Sequence, residues 1–187
     1  MPSSRSARRS SRGSETPTGA RRTVTSRPRN QDVRVRPARR ADVPALLDLW
    51  AKLLAFHRDI GETDMRLGPV VIADGREFFD EHIGRRNRLC LVAEESGTLI
   101  GFLVGTLRQR SPAFGGWRYG HVYDLYVQDP SRGRGAGAAL VLEAFRWFRK
   151  HRVRRVQLQV RARNTLGIDF WKGLGFSTLA LTMEKSI

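Results

Sequence analysis

Val127–Gly137, VQDPSRGRGAG, reads as a strand end, a Pro-marked turn and a glycine-rich arginine loop that runs straight into an amphipathic helix. A junction of this kind aims several backbone N–H groups at one spot, at the positive end of the helix macrodipole, where a phosphate or diphosphate can be held. Gly133, Gly135 and Gly137 let the backbone approach a ligand without Cβ interference, and Arg132 and Arg134 add planar donors suited to phosphate oxygens. Upstream, GHVYDLYV alternates as a strand. Downstream, Leu140, Val141, Ala144, Phe145 and Phe148 recur at helical spacing, with Glu143, Arg146, Arg149 and Lys150 on the other face.

The loop is neither a dinucleotide fingerprint nor a nucleotide-hydrolysing P-loop. R-G-R-G-A-G lacks the G-x-G-x-x-G spacing, and no acidic residue ends the next strand, VRRVQLQV. A P-loop would place Lys and Ser or Thr after its last glycine, whereas Gly137 is followed by Ala138 and Ala139.

Charge is distributed unevenly along the 187 residues, whose formal net charge is +16. Residues 1–31 carry eight arginines against Glu15 and contain no Leu, Ile, Phe, Tyr or Trp, so residues 1–32 read as a disordered basic tail. Such a tail has the electrostatic capacity to touch nucleic acid or acidic lipid. Of the 34 basic residues only Lys52, Lys150, Lys172 and Lys185 are lysine, a skew that genome composition alone would produce, and nucleic acid is therefore not the expected partner.

Residues 33–187 suit one domain with a core large enough to fold alone. No apolar run reaches membrane-spanning length and no signal peptide is apparent, so a cytoplasmic protein without membrane contact is expected. Cys90 is the single cysteine and lies in the apolar run LCLVA, as a buried structural thiol would. His57, His82, His121 and His151 lack ligand spacing, and no metal is expected.

Periodicity gives the order of elements. A short strand at Val33–Arg36 precedes a helix that Asp42 can cap, carrying Leu46, Leu49, Trp50, Leu53 and Phe56. GETDMRLGPVVIADG reads mostly as loop, and REFFDEHI as a short second helix. Residues 89–94 and 98–107 form a hairpin, and RQRSPAFGGW leads into the strand at 119–127. The long helix near 135–150, a strand around Val156, Leu158 and Val160, a short helix at 165–173 and a last strand near 176–184 complete the order βααβββαβαβ.

That order, the R-x-x-G-x-G loop at Arg132–Gly137 and a second motif from Asn164 through Phe170, Trp171, Leu174, Gly175 and Phe176 together resemble the GNAT superfamily of acyl-CoA-dependent N-acetyltransferases. The small-amine and polyamine enzymes are the members it looks most like, and the resemblance covers essentially all of 33–187. It implies an α+β fold, a mixed and mostly antiparallel sheet flanked by helices. The strands at 119–127 and 155–160 would run parallel and splay apart to admit the cofactor arm. Leu125, Tyr126 and Val127 would then bond the arm of acetyl-CoA, and Arg132, Gly133, Arg134, Gly135, Ala136 and Gly137 would hold its diphosphate, with CoA as the product. Asn164 reads equally as a cofactor contact and as the cap of the helix at Thr165.

By the same resemblance, the acceptor is a small amine, a Lys or an N-terminal amine, and pairing into a homodimer through sheet edges is common among relatives. An amine of ordinary pKa near ~10 must lose a proton before it attacks. Asp124 is the best placed base, standing where relatives show an acidic pair, and its bland reading is a structural carboxylate. Trp171 occupies the position of the family's tyrosine acid. Its indole can donate a hydrogen bond but not a proton near neutral pH, so it reads as a catalytic aid or as plain packing, with Tyr123 and Tyr126 as substitute acids. Acidic residues at Asp59, Glu62, Asp64, Asp74, Glu77, Asp80 and Glu81 suggest a rim for a cationic acceptor. The competing reading is an acyl-CoA binder of weakened catalysis whose basic tail serves nucleic acid or a partner.

Overall fold

The computed structural model describes residues 33–61, 69–185 and 187; the basic tail at 1–32 and Glu62 and Asp64 of the acidic rim lie outside them. Strand β1 (Arg34–Pro37) leads through a 3-10 turn into α1 (Val43–Asp59) and α2 (Pro69–His82). A hairpin of β2 (Arg88–Glu95) and β3 (Thr98–Gln109) is followed by β4 (Arg118–Val127), α3 (Ala136–Lys150), β5 (Val156–Leu158) and α4 (Thr165–Gly173). The five strands lie in sequence order, antiparallel from β1 to β4 and parallel between β4 and β5.

Alternate residues of the central strands feed two cores, which is why LCLVA and LIGFLVG read as nearly continuous apolar runs. Leu89, Leu91, Leu103 and Val122 pack under α3 and α4 with Leu140, Ala144, Phe148 and Trp171. Cys90, Val92, Phe102, Val104 and Tyr126 pack under α1 and α2 with Leu46, Leu49 and Phe79. Burial pushes the Cys90 thiol up to about 12, which makes it inert at neutral pH.

Close packing also constrains Gly120, where an added Cβ would stand 2.6–2.8 Å from the ring of Phe148. Gly120→Ala is therefore expected to lower stability by about 1–3 kcal/mol, measured by denaturant titration, because Phe148 is fully buried and cannot give way.

Three elements depart from the sequence expectation. Asp42 does not cap α1; its carboxylate accepts from the Arg39 amide at 2.7 Å and from both Arg36 terminal nitrogens at 2.7 and 3.0 Å, closing the turn before the helix. The Arg36 guanidinium holds that carboxyl below its usual range. Helix α2 starts seven residues earlier than REFFDEHI, at Pro69, whose fixed φ suits a first helical position. Gly75 ends the segment expected to be mostly loop, yet it lies inside α2, where any side chain would collide with Trp50 and Leu47.

The last strand is the third departure. Residues 176–185 form none, and the order is βααβββαβα. Leu179, Leu181 and Met183 alternate as a strand would, but they are 70, 84 and 92 % exposed. Alternation alone does not build a strand; a neighbour must accept its ladder bonds.

Candidate functional site

The site begins where β4 and β5 part. Their register covers Gly120–Val156, His121–Gln157 and Val122–Leu158, and no pairing between them continues beyond it among the described residues. A bulge marks the same place: Val104 faces Asp124 and Gly105 faces Val122, so Tyr123 is the extra residue on β4. Beyond the bulge the Gln128 amide donates to Ile100 O at 2.9 Å and the Tyr126 carbonyl lies against Gly101. Strand alternation then turns the amides of Leu125 and Val127 toward the side that β5 has left. Of the three arm-binding residues expected from sequence, Tyr126 instead directs its backbone to β3.

Past Val127 the chain makes a 3-10 turn at Asp129–Ser131 and enters the glycine loop. Gly133 and Gly135 adopt φ of 72° and 89°, conformations that any other residue would occupy only under strain. A Cβ at either would meet nothing within 4 Å, so this face of the loop is open. Helix α3 starts at Ala136. The amides of residues 133–138 make no main-chain hydrogen bond of good geometry among the described residues, although residues 132–135 fold as turns; the first to make one is Ala139, to Gly135 O at 2.9 Å. Gly137 serves a different purpose, since a Cβ there would press on Phe170 of α4 at 3.3 Å.

Arg132 already has protein partners on both sides of the turn. Its Nε donates to Val127 O at 2.9 Å, its Nη1 pairs with Asp129 at 2.7 Å, and its guanidinium lies 5.2 Å from the Phe56 ring and 5.5 Å from that of Tyr126. It is a clamp between α1, the end of β4 and the turn. Arg134 pairs with Glu95 at 2.7 Å.

Asp124 shares strand parity with Tyr126 and so belongs to the α1–α2 side of the sheet. Burial alone pushes its carboxyl up to about 6. Around it, His121 and His82 pack edge-on to the Tyr123 ring at 4.8 and 5.5 Å, and Arg108 donates to the Tyr123 hydroxyl at 3.0 Å. His82 is 2 % exposed, bonds Phe78 O through Nδ1, and leaves Nε2 without a hydrogen-bond partner. Burial lowers the pKa of both histidines. Burial raises that of the Tyr126 phenol, which therefore keeps its proton at neutral pH.

Asn164 caps α4, its Oδ1 accepting from the Gly167 amide at 2.8 Å, a bond that leaves the Nδ2 protons unused. Trp171 lies in the α3–α4 core, 9 % exposed, with Phe170 and Phe176 each edge-on at 5.1 Å. The structure thus puts Trp171 and Asp124 with different packing layers. Truncation of so large a buried ring, Trp171→Ala, is expected to lower stability by about 3–5 kcal/mol, and Trp171→Tyr to shift neither limb of a pH–rate profile.

Three of the expected rim carboxylates lie among arginines. Glu77, Asp80 and Glu81 share one depression on α2 with Arg40, Arg76 and Arg85, and Glu81 pairs with Arg88 at 2.6 Å. Two participants escape a reading of the sequence. Phe56 reads only as an apolar helix position, and Glu95 only as part of a hairpin turn; neither carries a signal for a partner 76 or 39 residues away.

The profile of the Acetyltransferase (GNAT) family matches residues 54–176. The chain belongs to the GNAT family. As a GNAT chain it is 34% identical to a mycothiol acetyltransferase of Amycolatopsis mediterranei over 137 residues, covering 73% of this chain and 43% of that protein. It is 29% identical over 117 residues to the N-terminal acetyltransferase B complex catalytic subunit naa20 of Schizosaccharomyces pombe, covering 61% and 63%. The GNAT chain spans under half the length of the mycothiol acetyltransferases it matches first. Among solved structures, a mutant BH1408 protein of Bacillus halodurans superposes with a TM-score of 0.76 at 20% identity, over 82% of this chain and 99% of the other. A predicted acetyltransferase of Clostridium acetobutylicum, solved with acetyl-CoA, does so with 0.68 at 17% identity, over 83% and 96%. At such identities these structures establish the fold.

Proposed function

We infer that this chain moves the acetyl group of acetyl-CoA directly to a primary amine, with residues 33–187 forming the catalytic domain and the cytoplasm as its compartment. The observation that carries the reading is the run of amides at 133–138 that make no main-chain hydrogen bond of good geometry among the described residues, on an open loop at the N-terminus of α3 beside the gap after Val122. Such donors at a helix N-terminus suit a diphosphate.

Acetyl-CoA, when bound, supplies the thioester carbonyl. The chain supplies the rest. The outward amides of Leu125 and Val127 give an extended arm ladder bonds, as a missing strand would receive, and the Val127 amide is a donor for a developing oxyanion. Asp124, with its carboxyl near 6, is ionised at pH 7 and basic enough to accept a proton from an ammonium through a hydrogen bond or one water. Tyr126, protonated and beside the clamp of Arg132, is better suited than Trp171 to return a proton to a departing thiolate.

The acceptor belongs to the amines as a class. The mixed charge of α2 gives a polycation no preferred seat, and the relatives include acetyltransferases of both mycothiol and protein N-termini. A binder without turnover is the weaker reading, since a carboxyl raised to about 6, as in Asp124, suits proton removal. The test is thiol release from acetyl-CoA with an amino sugar, a polyamine, a lysine peptide and a peptide with a free N-terminus. Release that depends on one of these amines supports the assignment; CoA binding without release to any of them contradicts it.

A further inference from the structure

The phosphate loop has two glycines at positive φ, Gly133 and Gly135, and a glycine backbone has little preference of its own for the shape seen here. Arg134 stands between them. Its Nη2 lies 2.7 Å from Glu95 Oε1 and its Nη1 lies 3.4 Å from Oε2, a two-point contact across 39 residues. Glu95 closes β2, and its side chain is only 11 % exposed, so water and salt screen it less than a surface carboxylate.

The Glu95 backbone is itself fixed. It faces Thr98 across a two-residue turn, Ser96 and Gly97, with φ of 51° and 80°, the tight hairpin turn whose twist matches the strands it joins. Among the described residues this is the one ion pair that joins the loop segment 133–137 to the sheet, because Arg132 pairs with Asp129 inside its own turn.

We propose that Glu95 is a positioning residue of the acyl-CoA site: it grips Arg134 and sets the glycine loop, before the diphosphate arrives, in the shape whose amides converge. The proposal rests on the acyl-CoA reading above. A group that pre-orders a binding loop acts on affinity and not on the chemical step. Its like-charge repulsion of the diphosphate is offset by the guanidinium it holds, so ordering is the effect that remains.

The full-length protein is titrated with CoA by calorimetry and assayed at steady state. Glu95→Gln is expected to weaken CoA binding and to raise KM for acetyl-CoA by a common factor of about 3 to 10, with kcat unchanged. Glu95→Asp recovers part of the loss. Arg134→Gln weakens binding similarly, and the double variant is no worse than either single one, since both remove one contact. Tighter CoA binding by Glu95→Gln, additive losses in the double variant, or a fall in kcat overturns the proposal. A wild-type protein that does not bind CoA overturns both this and the acyl-CoA reading, whereas tight wild-type binding indifferent to Glu95 overturns this alone.

Discussion

Gly135→Glu abolishes CoA binding, with an expected loss of 100-fold or more, on the order of 3 kcal/mol. Two effects add. The residue sits at φ 89° as the N-cap of α3, so any side chain strains the cradle by about 1–2 kcal/mol. An added Cβ meets no protein atom, so the new carboxylate projects from the open face of the loop, where it repels a diphosphate and satisfies the amides meant for it. Calorimetry against CoA reads the loss. Gly135→Ala separates the terms, because it keeps the strain and omits the charge; it should retain measurable binding. Unchanged affinity in Gly135→Glu would mean that the diphosphate lies elsewhere.

Asp124→Asn gives the second large effect, a fall in kcat of about 100- to 10,000-fold with little change in CoA affinity. The wild-type rate should rise with pH through about 6, as the carboxyl ionises, and the variant should lack that limb. Stability moves in the opposite direction. Burial raises the folded-state pKa above the unfolded value of 3.8, so between roughly pH 4 and 6 the unfolded chain ionises first and the native state loses stability as pH rises. Above that window the penalty is constant, and below it there is none. Asp124→Asn should therefore melt at a higher temperature than wild type at pH 7 and at the same temperature below pH ~4. A variant that is slower but no more stable at pH 7 would show that the carboxylate is well solvated or paired.

The shape of the glycine loop was legible in sequence because its features are local. Positive φ at Gly133 and Gly135, a strand end before and a helix start after are all properties of eleven consecutive residues. Asn164 as a cap was legible for the same reason. The clamp made by Arg132 was not, for it reaches Phe56 of α1 and Tyr126 of β4, and an arginine in a glycine loop gives no sign of such ring partners.

The chemistry of Asp124 was half legible. Its place on the strand came from the family motif, but its elevated pKa comes from burial, which is a tertiary property. Trp171 shows the reverse case, a motif position whose indole the fold spends on packing with Phe170 and Phe176. The misjudged start of α2 and the absent last strand share one physical cause: Gly75 and the alternation through Met183 are local signals, whereas a tryptophan that needs room and a strand that needs a partner are tertiary facts.

Amide resonances report directly which amides meet the diphosphate. In a proton–nitrogen correlation titration with CoA, the signals of Gly133, Arg134, Gly135, Ala136, Gly137 and Ala138 should move downfield and saturate together at the affinity found by calorimetry. If CoA binds while those six amides stay in place and others shift, the loop is not the cradle and the account fails.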